Sequence, residues 1–109
     1  MKVTVQLLES AESDLKDLRS YLIKNFGKEN WQASYSKIKE SVGIIRAYPE
    51  GGKVPDELAN LNLIQYRQVI SGMNRIIYEI RGDVAYLHII CDSRKDLRNL
   101  LLKRILRTA

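Results

Sequence analysis

The stretch from Tyr66 to Cys91 constrains the fold more than any other part of the chain. It holds three runs rich in Ile, Val and Tyr, "YRQVIS", "NRIIYEIR" and "VAYLHIIC". Such residues suit a pleated, partly buried surface. The runs are joined around Ser71-Gly72-Met73 and Arg81-Gly82-Asp83. Joints this short turn the chain back on itself, and glycine supplies the positive φ that tight hairpins need. Two successive hairpins predict an antiparallel meander. The last run is apolar on both faces, so it is expected to be the best buried.

The first half of the chain supplies the cover. "KVTVQLL" alternates Val3, Val5 and Leu7 with Thr4 and Gln6, the pattern of a half-buried strand. Ser10 suits a helix N-cap, with Glu12 and Asp14 at the positive end of the helix dipole. Ala11, Leu15, Leu18 and Leu22 then fall on one helical face, and Asn25 and Gly27 end it. From Lys28 to Ala47 a second stripe runs through Trp31, Tyr35, Ile38, Val42 and Ile45. Its spacing predicts a core stripe rather than an exposed aromatic platform. Pro49, Gly51 and Gly52 stop this helix. Two adjacent helices with a short glycine-containing joint make an antiparallel hairpin.

A connector with a short helical turn at Asp56–Leu61 leads into the meander. "RKDLRNLLLKRILRTA" closes the chain as an amphipathic helix, with Leu97, Leu100, Leu101 and Ile105 on its apolar side. The expected architecture is α+β, in the order β-α-α-β-β-β plus the C-terminal amphipathic helix. The helical hairpin packs on one face of a small twisted antiparallel sheet. At 109 residues the chain is expected to be one domain spanning 1–109. The other sheet face is the expected place for a partner.

Composition narrows the function. "MKVTVQLLES" does not read as a signal peptide, and no apolar run approaches the ~20 residues of a membrane span. One cysteine, Cys91, allows no internal disulfide and fits a reducing cytoplasm. Cys91 and the single histidine, His88, cannot make up a four-ligand zinc site. No metal or cofactor is expected. The net charge of +5 is unevenly placed: residues 1–60 hold nine Lys/Arg and nine Asp/Glu, whereas residues 61–109 hold nine against four. Seven of the later nine are arginines, which grip carboxylate or phosphate in fixed geometry. This fits two readings equally, a merely solubilising basic surface or an acidic partner docking on the second half. No helix-turn-helix, zinc-finger or RRM-type signature points to direct nucleic-acid binding.

In combination, three segments resemble toxins of the RelE/ParE superfamily, the toxic halves of bacterial type II toxin–antitoxin pairs. "ESAESDLKDLRSYL" is similar to the Ala-x-x-Asp-Leu first helix of ParE-like proteins. "AYPEGGKVPDEL" resembles their helix-ending basic segment. "YRQVISGMNRIIYEIRGDVAYLHIICDSRKDL" resembles their sheet, which ends in His-x-Arg-Arg-Asp. Arg94 and Lys95 stand where the family's arginine pair stands, and Asp92 stands where its usual histidine does.

The resemblance implies one of two activities. RelE-like members are ribosome-dependent mRNA endoribonucleases, and ParE-like members block DNA gyrase. Metal-independent RNA cleavage needs proton-transfer groups as well as cations on the phosphate. Arg75 and Arg94 match RelE's phosphate-holding arginines. Its two lysines, however, are matched by Tyr66 and Gln68, and its C-terminal tyrosine by Leu100. His88 sits mid-strand in the most buried run, where a structural role is expected. A nuclease would have to use Tyr66, Tyr78 or Asp92 with Arg75 and Arg94. The tail "LLKRIL" does resemble the end of RelE's terminal helix.

The ParE-like reading is therefore preferred, with the RelE-like one as its alternative. A gyrase poison needs only a binding surface, expected at Arg94, Lys95 and Arg98 and on the Lys103, Arg104 and Arg107 face. Arg75 is expected to face away from the core, within reach of Glu79. The resemblance also implies a cognate antitoxin with a flexible acidic toxin-binding segment, contacting Arg67, Arg75 and Arg94. Operator DNA would be reached only through that antitoxin. Growth inhibition and plasmid stabilisation are what such pairs bring about.

Overall fold

A computed structural model of the chain describes residues 2–108, with side chains as far as residue 104. The element order is β1 (Thr4–Leu7), α1 (Glu9–Phe26), α2 (Lys28–Ala47), a 3-10 turn at Pro49–Gly51, α3 (Asp56–Ala59), β2 (Tyr66–Ser71), β3 (Asn74–Arg81), β4 (Val84–Asp92) and α4 (Leu97–Thr108). The predicted meander is present. Ser71 pairs with Asn74 and Arg81 with Val84, so both loops have two residues. Gly72 and Gly82 open these loops at φ +60° and +62°, while Met73 and Asp83 keep negative φ. That is the type II′ arrangement, whose twist matches the flanking strands.

The order across the sheet is β1-β4-β3-β2. β1 adds to the meander parallel to β4, with Val5 opposite Ala85 and Leu7 opposite Leu87, so the whole sheet is mixed. A parallel neighbour is natural here, because the α1–α2 hairpin carries the chain from β1 back across the sheet before the meander begins.

One sheet face carries Ile76, Tyr78, Ala85, Leu87 and Ile90, packed on Ala11, Ile38 and Ile45 of the helical hairpin. The other face is not open, contrary to expectation. Ile77, Ile89 and Cys91 lie under Leu58 of α3 and Leu97 and Leu101 of α4, and these residues form a second core cluster. Leu97 and Leu101 are almost wholly buried, as their spacing predicts; the side chain of Ile105 lies outside the described ones. Burying one such leucine contributes about 1.5–3 kcal/mol, enough for two of them to hold a short helix against the sheet.

Two further details differ from the sequence reading. Ser10 is not an N-cap: α1 begins at Glu9 with Leu8 as its uncapped lead-in, and Ser10 Oγ donates to the His88 carbonyl at 3.1 Å. The α2 stripe is fully buried only at Ile38 and Ile45; Trp31 is half-buried and Tyr35 exposed, and their rings stack at 5.1 Å. Lys39 lies over the Tyr35 ring at 4.9 Å, so that pair is sealed by a cation instead of by core.

The turn after α2 is locked by Tyr78. Its hydroxyl donates to the Pro49 carbonyl at 2.7 Å and accepts from Gly52 N–H at 3.2 Å. Gly52 is needed there: a Cβ would overlap the Tyr78 hydroxyl and lie 2.9 Å from the Gln68 carbonyl. Gly52→Ala is expected to cost about 1–3 kcal/mol, the usual range for overpacking, read as a lower urea midpoint with an unchanged slope.

Candidate functional site

The end of β4 delivers a cluster of charged side chains into solvent. Ile89, Ile90 and Cys91 are buried, Asp92 is half-buried, and Ser93 to Asp96 are exposed. The corner is tightly built. Ser93 N–H donates to the Met73 carbonyl at 2.8 Å, and Lys95 N–H to the Asp92 carbonyl at 3.0 Å. Asp96 Oδ1 accepts Asn99 N–H at 3.1 Å, which caps α4 at its first free donors. A rigid strand end and a capped helix thus fix Arg94, Lys95 and Arg98 on one exposed corner.

Arg94 grips Asp92 through Nε at 2.9 Å and a second guanidinium nitrogen at 3.0 Å, and Asp92 also accepts Arg94 N–H at 2.8 Å. These bonds hold the Asp92 carboxyl at about 2, below its ordinary 3.8. The Arg94 side chain is still 79% exposed. Its charge remains available, and an exposed pair of this kind contributes little to stability. A group with a depressed folded pKa contributes stability above its ordinary pKa and loses that contribution as pH falls. Asp92 is therefore expected to lose its share between pH 3.8 and about 2. In Arg94→Ala its carboxyl, followed by NMR, should titrate back near the ordinary value.

Arg75 does not face solvent, and its partner is not Glu79. It is 8% exposed. It donates to both Glu57 oxygens at 2.8 and 3.1 Å and to Gln68 Oε1 at 2.9 Å. The Arg75 bonds hold Glu57 below its ordinary carboxylate value. This fork clamps α3 to β3. Glu79 instead meets Arg81 and His88 Nε2, both at 2.9 Å. Arg67 donates to the carbonyls of Glu50 and Gly52 at 2.9 and 2.8 Å and so fastens the same turn as Tyr78.

The proton-transfer candidates are separated. Tyr78 lies wholly inside the core beneath the helical hairpin. Tyr66 is 6% exposed on the opposite sheet face, where burial raises its hydroxyl pKa. Burial also raises the pKa of Tyr78. Asp92 is at the far end of β4. His88 is the extra residue of a bulge where Ile77 pairs with Ile89 and Tyr78 with Leu87, and burial lowers its pKa against the opposing Glu79 hydrogen bond. Its ring meets Tyr66 edge-on at 5.2 Å. The arrangement re-aims one side chain within the ladder, and a structural role for His88 accounts for it.

Of the α4 cations, Arg98 and Lys103 are exposed. Arg104 is turned inward, donating to Asp14 at 2.5 and 2.8 Å and to the His88 carbonyl at 2.8 Å. Asp14 also accepts Ile90 N–H at 2.9 Å. The side chain of Arg107 lies outside the described residues. Asp14 and Glu57 were not singled out as site-forming by the sequence, because their partners lie 90 and 18 residues away.

The Arg94 corner opens onto a cleft of about 610 Å³ between α1 and the start of α4, lined by Leu18, Tyr21, Asn74, Ile90, Arg94 and Lys95 among others. Among the described residues no helix is long and apolar enough to cross a membrane.

The fold is similar to a chain of a chromosomal ParDE toxin–antitoxin system from P. aeruginosa (TM-score 0.68, 14% identity, 84% of this chain and 96% of that chain covered). It is also similar to a chain of the toxin–antitoxin complex RelBE2 from Mycobacterium tuberculosis (TM-score 0.59, 16% identity, 84% and 99% covered). No curated protein matches the chain. Residues 5–96 match the family model for the ParE toxin of the type II toxin–antitoxin system parDE. The chain belongs to that family, and it is a toxin of a type II toxin–antitoxin system.

Proposed function

We propose that this toxin, acting as one domain over residues 1–109 in the cytoplasm, poisons DNA gyrase and is neutralised by a cognate antitoxin with a flexible acidic segment. One contrast carries the reading. The proton-transfer candidates lie apart, with Tyr78 and Tyr66 buried on opposite sheet faces and Asp92 held by Arg94 at the end of β4, whereas the Arg94 corner is cationic and open. A poison acts by binding one conformation of its target more tightly than the others, and a fixed cationic corner suits that task. Arg94, Lys95, Arg98 and Lys103 are the proposed target contacts. Arg104 holds α4 in place behind them.

Antitoxin binding is proposed on the same corner. An acidic segment that folds on contact gains both charge pairing and buried area there. Arg67 is engaged by two backbone carbonyls and the Arg75 charge is balanced by Glu57, so Arg94 is the antitoxin contact proposed among the three. Operator DNA is reached through the antitoxin.

Induced expression tests the proposal. Growth arrest with chromosomal breaks and unchanged mRNA 5′ ends is the expected outcome. New 5′ ends within translated messages, with intact DNA, would replace gyrase by the ribosome as target.

A further inference from the structure

The carboxylate of Asp92 does little for the fold of the corner it sits in. The chain there is held by other bonds: Ser93 N–H to the Met73 carbonyl, Lys95 N–H to the Asp92 carbonyl, and the Asp96 cap on α4. Among the described residues the Asp92 side chain bonds Arg94 alone. It accepts from the Arg94 backbone N–H, from Nε and from Nη2, at 2.8, 2.9 and 3.0 Å. An exposed ion pair adds little stability, but a bidentate contact between arginine and carboxylate fixes geometry well. The bonds therefore act on the direction of Arg94 more than on the fold.

The contact uses one edge of the guanidinium and leaves another. Nε and Nη2 face Asp92, whereas Nη1 has no hydrogen-bond partner among the described residues. A planar guanidinium carries its donors in fixed directions. Once one edge is docked, the direction of the N–H pair at its tip is set as well. The side chain is 79% exposed, so a partner can still reach it. The neighbouring cations are not held in this way: among the described residues Lys95, Arg98 and Lys103 make no side-chain salt bridge. A free long side chain must be ordered when it binds, and one that is already held avoids most of that cost.

We propose that Asp92 is a positioning residue, which holds the Arg94 guanidinium in the orientation in which it meets the toxin's target. This role rests on Arg94 being a target contact, as proposed above, and not on that target being gyrase. Two ways for Arg94 to act predict opposite signs. Removing the Asp92 charge makes the corner more positive. If Arg94 acted as a point charge, attraction to an anionic target group would then increase. If Arg94 acts through its fixed direction, the same change weakens the toxin.

Asp92→Asn tests the proposal, because the amide keeps the size of the side chain and an oxygen for Arg94 N–H while losing the charge. Growth arrest on induced expression and gyrase-dependent plasmid cleavage are compared for the native chain, Asp92→Asn, Arg94→Ala and the double variant. Asp92→Asn is expected to need about three- to tenfold more protein for the same effect, the cost of ordering one long side chain on binding, at an unchanged Tm. The double variant is expected to be no weaker than Arg94→Ala, since a residue acting through Arg94 adds nothing once Arg94 is gone. In NMR of the native chain, Arg94 Nε–H should exchange with water more slowly than Arg98 Nε–H, and Asp92→Asn should largely remove that difference. Equal or greater potency of Asp92→Asn, additive losses in the double variant, or equal exchange of the two arginines in the native chain would each overturn the proposal. Growth arrest without linear plasmid would remove gyrase as the target; the same ranking of variants in growth arrest would then support the role of Asp92, and any other ranking would overturn it. A native chain that neither arrests growth nor linearises plasmid would overturn both.

Discussion

Tyr78→Ala is expected to lower stability by about 3–5 kcal/mol, the range for removing a buried aromatic side chain. Tyr78 is completely buried, in the core between the sheet and the helical hairpin. Its hydroxyl also bonds the Pro49 carbonyl and Gly52 N–H, so truncation empties a core site and leaves two backbone groups unpaired at the end of α2. Domains of this size typically have 5–15 kcal/mol in all, so the variant should be close to unfolding at growth temperature. Thermal denaturation would show a drop of more than about 10 °C. Tyr78→Phe keeps the ring and separates the two causes, with an expected cost of about 1–3 kcal/mol. A Tyr78→Ala protein with native stability would mean that the core does not close on this side chain.

Asp14→Ala is expected to be nearly as severe, at about 3–5 kcal/mol, although only one short side chain is lost. The Asp14 and Arg104 side chains are 14% and 17% exposed, and removing one member of a buried pair leaves the other's charge desolvated. Asp14 also accepts Ile90 N–H, so the start of the corner loses a bond as well. The effect should be local in origin: the Ile90 amide and α4 should lose hydrogen-exchange protection before the α1–α2 hairpin does. A combined Asp14→Leu and Arg104→Met change is expected to recover part of the loss, because an apolar pair of similar volume carries no buried charge. Equal protection loss throughout the chain would show that Asp14 supports the whole fold rather than the seat of α4.

These two positions show where the sequence is legible and where it is not. The meander could be read because its information is local. Gly72 and Gly82 sit in two-residue loops between β-branched runs, and the hairpin register follows from the loops. The helical stripes of α1 and α2 are equally local. What failed was anything set by distant partners. Arg75 looks like an outward strand residue until Glu57 of the connector folds over it. Arg104 looks like one more cation on a basic helix until Asp14 meets it from α1. Trp31 and Tyr35 have core spacing but stack on each other at 5.1 Å outside the buried core, because periodicity shows which face is apolar and not how far along it the core reaches. Alternation alone did not give β1 its neighbour either, since a parallel pair is set by the crossover. The Arg94 corner was readable because a buried strand running straight into Asp92, Ser93 and Arg94 must surface there.

The measurement that most directly tests the central claim is a purified gyrase cleavage assay on supercoiled plasmid, with the native chain and with Arg94→Ala. The account predicts linear plasmid that appears only when both gyrase and the chain are present. It also predicts loss of that product, by about tenfold or more, in Arg94→Ala at an unchanged melting temperature. Normal supercoiling in the presence of excess folded chain would contradict it.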